Sequence, residues 1–123
     1  MTTKTIGDMG EHIALAHCIS NGYEFVDRNY RSRYGEIDII IKNSEYIVFA
    51  EVKTRHKNSY STPAEAVDRR KQKRIITTAA IYLEENPTDL QPRFDVIEII
   101  YDKNIHINHI ENAFCQTDDY AAF

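Results

Sequence analysis

Gly35-Glu36-Ile37-Asp38-Ile39-Ile40-Ile41 and Tyr46-Ile47-Val48-Phe49-Ala50-Glu51-Val52-Lys53, joined by Lys42-Asn43-Ser44-Glu45, decide how this chain is read. β-Branched and aromatic residues crowd both runs and an Asn-Ser pair stands between them, which predicts two strands and a turn. Strand side chains alternate between faces, so Ile37, Ile39 and Ile41 are expected on one side and Glu36 with Asp38 on the other. On the second strand Glu51 and Lys53 share a face with Ile47 and Phe49, while Val48, Ala50 and Val52 take the opposite one. Ile47 to Ala50 is apolar on both faces, the pattern of a strand inside a covered sheet. An acid and a base end that run, and charge placed there is costly without a partner.

Asp38 and Glu51 on adjacent strands, with the Lys53 ammonium two residues past Glu51, suit a hard divalent cation and a phosphate. Mg²⁺ takes a few carboxylate oxygens and fills its remaining positions with water and substrate oxygens. A lysine beside it stabilises developing anionic charge or helps deprotonate the attacking water. A bare Glu-x-Lys is usually a surface ion pair, since short patterns of common residues recur by chance. Here an acid on the preceding strand and an apolar lead-in accompany it.

The constellation resembles the Asp…Glu-x-Lys core of the PD-(D/E)XK, restriction-endonuclease-like superfamily. More closely, the chain is similar to the bacterial YraN-type family, likened to Holliday-junction resolvases. The carriers are Gly7-x-x-Gly10-Glu11, Gly22-Tyr23, Arg28-Asn29-Tyr30-Arg31, Gly35-Glu36-Ile37-Asp38, Phe49-Ala50-Glu51-Val52-Lys53 and Arg93-Phe94-Asp95-Val96. Ile37 stands where the superfamily's name puts proline.

The resemblance implies a Mg²⁺- or Mn²⁺-dependent endonuclease hydrolysing DNA phosphodiester bonds, on branched or nicked substrates. Asp38 and Glu51 would hold the metal with the Val52 carbonyl, Glu11 would add a third carboxylate, and Lys53 would act beside them. A basic or polar residue of the second helix would reach the site, Lys71 ahead of Gln72. Glu36, about 7 Å along the strand from Asp38, would support it. Junction-cutting relatives work as symmetric dimers, which makes a homodimer an expectation. The alternative is a catalytically idle module that binds nucleic acid or a protein partner, and RNA is a further possible substrate.

At 123 residues the chain is expected to form one domain over 1–111 with a C-terminal tail, 112–123, that lacks order. No apolar run approaches the length of a bilayer span and Met1-Thr2-Thr3-Lys4 does not begin a signal peptide, so a cytoplasmic location is expected. Cys18 and Cys115 fit no zinc or redox spacing and are expected to be reduced. The net charge of −4 argues against broad nucleic-acid affinity, but Lys53 to Arg74 carries eight Lys/Arg against two acids. Such a run is either an anion-binding surface or a solvated helix face.

The order predicted is helix, three strands, helix, then one or two strands: an α/β sandwich with a mixed sheet flanked by helices. Gly7 to Ser20 reads as an amphipathic helix stopped by Asn21-Gly22, its glycines fitting close approach of another backbone. Glu11 in its first turn also suits the helix dipole alone. Tyr23 to Asn29 reads as a strand. Arg28 to Tyr34, with Arg31 and Arg33 among tyrosines, suits either substrate contact or an exposed loop with packed rings.

Thr54 to Ser61, with Arg55, reads as a mobile loop, and Thr62-Pro63-Ala64-Glu65 as the capped start of a helix to about Glu85, with a break near Asp68. Arg69, Arg70, Lys71, Lys73 and Arg74 cluster within it, and Arg70, Lys71 and Arg74 join Arg31, Arg33 and Arg55 as candidate phosphate contacts. Arg93 to Tyr101 and Ile105 to Ile110 read as further strands. Asp95 pairs with Arg93 or a lysine on this reading, and His106 and His109, on opposite faces, do not suit zinc.

Overall fold

The computed structural model describes residues 2–59 and 67–115. In chain order these form α1 (Thr3–Ser20), β1 (Glu24–Ser32), β2 (Gly35–Lys42), β3 (Tyr46–His56), α2 (Arg69–Glu85), β4 (Gln91–Tyr101) and β5 (Ile105–Phe114). The strands build one mixed sheet in the spatial order β1-β2-β3-β4-β5, antiparallel except for the parallel pair β3·β4. The fold is therefore the expected helix-flanked α/β sandwich, and the optional last strand is present as β5.

Alternation on β3 divides the core. Ile47 and Phe49 join Ile75, Ile76, Ala79 and Tyr82 of α2, with Phe94 and Val96 of β4, on one face. Val48 and Ala50 join Ala14 and Cys18 of α1, with Ile39, Ile41, Ile97 and Ile99, on the other. Ile47 to Ala50 is buried throughout, as a central strand between two helical layers requires.

Both helices have identifiable ends. Thr2 caps α1, its Oγ1 accepting from the Thr5 N–H at 3.1 Å, so the helix starts four residues before Gly7. Gly22, at φ 92°, closes it as expected, with the Tyr23 N–H donating to the Cys18 carbonyl at 3.1 Å. Asp68, where a break was expected, is the N-cap of α2 and accepts from the Lys71 N–H at 2.9 Å. The Thr62–Glu65 start lies outside the described residues, as does the tail from Gln116.

Three expectations change. Thr54 to His56 is strand, because β3 pairs with β4 all the way to His56↔Tyr101 and the ladder carries polar residues along. β5 continues through Phe114, which is buried against Phe94, so the sheet enters the segment read as tail. Along β2 the simple alternation fails: Ile39 and Ile41 lie on the α1 face, but Ile37 packs with Ile40 on the α2 face. The ladder between β2 and β3 stops at Ile39↔Ala50, one residue short of Asp38. There the Asp38 side chain, not its backbone, takes the Val52 N–H at 2.8 Å.

Candidate metal and nucleic-acid site

The place where β2 parts from β3 is where the carboxylates gather. Asp38 and Glu51 together line two cavities. One, of about 370 Å³, lies toward α2 and is walled by Glu36, Asp68, Arg70, Lys71 and Arg74. The other, of about 360 Å³, lies toward α1 and is walled by Gly7, Glu11, Val52 and Thr54. The two acids thus form the partition between two solvent-facing hollows.

Burial and like charge both act on this partition. Burial first, then the Glu51 charge, push the Asp38 carboxyl up from 3.8 to about 7; Glu11 and Glu36 add to the shift and the Val52 N–H opposes it. Glu51 is buried and holds the ammonium of Lys71 at 2.9 Å. Burial alone would pull Lys71 down, but the hydrogen bond and charge of Glu51, with Asp38 and Asp68, outweigh it and keep the amine above its ordinary value.

Glu11 is brought to the α1-side cavity and its Oε1 accepts from Arg28 Nε at 3.2 Å. Gly10 explains how α1 comes so near: a Cβ there would collide with Thr54 Oγ1, whereas Gly7 faces open space. Lys53 shares the strand face of Glu51 and is half-buried, but lines neither cavity; in register it stands beside Glu98. Arg55 is committed to Glu98 at 2.8 Å. Gln72 donates to the Val67 carbonyl at 2.7 Å.

The basic residues divide likewise. Arg70, Lys71 and Arg74 wall the α2-side cavity, and Arg74 also walls a neighbouring hollow of about 560 Å³ with Arg33, Tyr34 and Lys73. Arg33 lies over the exposed Tyr34 ring at 5.3 Å. Arg31 is exposed and 3.7 Å from Glu36. Tyr30, by contrast, packs edge-on against Tyr82 at 5.1 Å and belongs to the core.

Asn29, read as the end of a strand, lies inside β1 with φ 55°, in the ladder step facing Asp38. With its amide nitrogen turned to the acids, the orientation in which both bonds form, it donates to Glu36 Oε1 at 3.0 Å and Glu11 Oε1 at 3.3 Å. A non-glycine left-handed residue within a strand is the kind of outlier that marks a site, and sequence alone does not reveal it.

Among the described residues, no group of three or more His, Cys, Asp or Glu side chains is close enough to hold a metal ion. The donor set still fits a partly hydrated hard cation, which needs only one or two carboxylates from the protein. Asp38 and Glu51 offer these oxygens, and Asp38's raised pKa marks a position that gains from added positive charge.

Away from this site, Asp95 is fully buried on the α1 face and accepts from Arg93 at 2.8 and 2.9 Å, from His109 at 2.8 Å and from the Asn112 N–H at 3.0 Å. The Arg93 pairing is as expected. His17 joins the network at 3.3 Å from His109. Among the described residues, no helix is long and apolar enough to cross a membrane.

A family profile described as "Uncharacterised protein family UPF0102" matches residues 10–99. A UPF0102 protein of Alkaliphilus oremlandii is 46% identical over 115 residues, covering 90% of this chain and 98% of the relative. One from Clostridioides difficile is 44% identical, covering 93% and 100%. A third, from Caldanaerobacter subterraneus, is 40% identical, covering 90% and 95%.

Proposed function

The chain belongs to the UPF0102 family, and from its carboxylate pair we propose a Mg²⁺- or Mn²⁺-dependent endonuclease acting on DNA phosphodiester bonds, on branched or nicked substrates. The observation that carries the reading is the partition formed by half-buried Asp38 and buried Glu51, two carboxyl groups that together line both hollows where the β2–β3 ladder opens. Structural ion pairs do not require two acids to be held together against their mutual repulsion; a cation site does.

In this reading Asp38, Glu51 and the Val52 carbonyl would hold the metal, and Glu11 would support it from α1. The bound ion would polarise the phosphate and lower the pKa of the attacking water. Lys71 pairs with Glu51, and with a cation on that carboxylate its ammonium would be available to the phosphate. Lys53, the lysine of the motif, would stabilise developing charge by likeness to the superfamily's Glu-x-Lys pair. Arg70 and Arg74, with Arg33 and Arg31 on the β1–β2 hairpin, steer the backbone, and Tyr34 offers a stacking surface. Arg55 contributes through its pair with Glu98. A paired, homodimeric enzyme completes the proposal by likeness to junction resolvases.

A second reading has its own support. Lys71 satisfies Glu51 directly and Arg70 and Arg74 stand beside it, which suits an idle module that keeps the fold and binds nucleic acid through its basic rim. The deciding experiment incubates labelled four-way junction, flap, duplex and single-stranded DNA with Mn²⁺, Mg²⁺ or EDTA, with Asp38→Ala in parallel. Metal-dependent cleavage lost in the variant is expected. Cleavage that survives Asp38→Ala overturns the proposal, and binding without cleavage favours the idle module.

A further inference from the structure

A regular strand sends neighbouring side chains to opposite faces. Arg28 and Asn29 are neighbours on β1, yet both reach the same Glu11 Oε1 atom, at 3.2 and 3.3 Å. The left-handed backbone of Asn29, φ 55°, is what redirects the chain. The same amide also reaches Glu36, at 3.0 Å. Glu36 lines the cavity on the α2 side of Asp38 and Glu11 the cavity on its α1 side. One carboxamide therefore links acids from α1 and β2 across the two hollows that Asp38 borders.

We infer that Asn29 is a positioning residue for a divalent-cation site: it touches no reacting atom, but fixes Glu11 and Glu36 about Asp38. The inference rests on the metal-site reading above. The residue type follows from two demands at once. Asparagine tolerates the left-handed conformation better than other side chains and carries a donor for carboxylates. Glycine would meet the first demand alone and alanine neither. Arg28 already pairs with Glu11 and Arg31 stands 3.7 Å from Glu36, so a neutral donor between the two acids orients them without adding a further positive charge beside Asp38.

Two measurements on the full chain test this. Mn²⁺ affinity is read from the free-ion electron paramagnetic resonance signal in wild type, Asn29→Gly, Asn29→Ala and Asp38→Ala. Asn29→Gly is expected to keep a melting temperature near wild type and lose about tenfold in Mn²⁺ affinity, the size of effect typical for a residue behind the ligands. Asn29→Ala should lose both. Wild-type affinity in Asn29→Gly overturns the inference and reduces Asn29 to a backbone device. The second measurement is a metal-free double-mutant cycle of Asn29→Gly with Glu36→Gln on the urea midpoint. Non-additive midpoints are expected; additive ones overturn the inference. Should wild type and Asp38→Ala both fail to bind Mn²⁺, the nuclease reading falls and the cycle alone decides whether Asn29 holds these acids.

Discussion

Lys71 Nζ stands 2.9 Å from Glu51 Oε1, tying the first turn of α2 to the central strand. An ammonium and a divalent cation compete for that carboxylate. Lys71→Met should therefore raise Mn²⁺ affinity several-fold while lowering turnover, because the cation gains an oxygen and the phosphate loses its partner. In the metal-free protein the variant should lose about 1–2 kcal/mol, less than a fully buried pair because Lys71 is half-exposed. Calorimetric Mn²⁺ titration and urea unfolding check both signs.

Asp38 gives a pH dependence. Its carboxyl titrates near 3.8 unfolded and about 7 folded. Below the lower value both states are protonated and the folded state keeps its full stability. Between the two values only the unfolded chain ionises, so stability falls as pH rises through that window and levels off above it. Asp38→Asn keeps an acceptor for the Val52 N–H and carries no charge. At pH 8 without metal it should exceed wild type by about 1–3 kcal/mol, with the advantage vanishing toward pH 4. Urea midpoints across pH measure it, and saturating Mn²⁺ should close the gap from the wild-type side.

Gly10 touches Thr54 with no room for a Cβ. Gly10→Ala should cost about 1–3 kcal/mol despite the better helix propensity of alanine. Because the collision is chiefly with Thr54 Oγ1, adding Thr54→Ala should recover part of the loss. Thermal melts of the two single variants and the double variant would show this as non-additivity.

Asp95 tests the separation of scaffold from site. Burial pushes its carboxyl up, but the His109 and Arg93 hydrogen bonds and the Asn112 N–H outweigh it and hold it below its ordinary value. Its contribution is therefore present above the unfolded value and lost as pH falls through the folded one. Asp95→Asn leaves Arg93 buried with less compensation and should cost about 3 kcal/mol. Mn²⁺ affinity of the folded variant should be unchanged, measured below its unfolding temperature.

Much of the sheet was legible because its signals are local. The apolar run Ile47 to Ala50, the Asn-Ser turn and the Asn21-Gly22 stop each state their geometry within a few residues. What escaped depends on partners distant in sequence. Thr54 to His56 is polar and aperiodic, yet it is strand because β4 lies beside it. The failed alternation at Ile37 and the left-handed Asn29 arise where two ladders meet around Asp38, and no period-two pattern encodes that. The gathering of Asp38 with Glu51 follows from strand adjacency and is readable. The diversion of Arg55 to Glu98 is settled by packing alone.

The early end of the β2–β3 ladder gives the carboxylate pair two different mechanical foundations. Glu51 rides on β3, bonded along its length to β4, and moves only if the middle of the sheet moves. Asp38 rides on the hairpin arm that has already let go of β3, held across the gap through its own oxygen. The pair is thus an anvil and a jaw. Whatever twists the β1–β2 hairpin, whether a duplex bent across its arginines or a change at its tip, alters the gap between the two acids without disturbing the core that holds one of them.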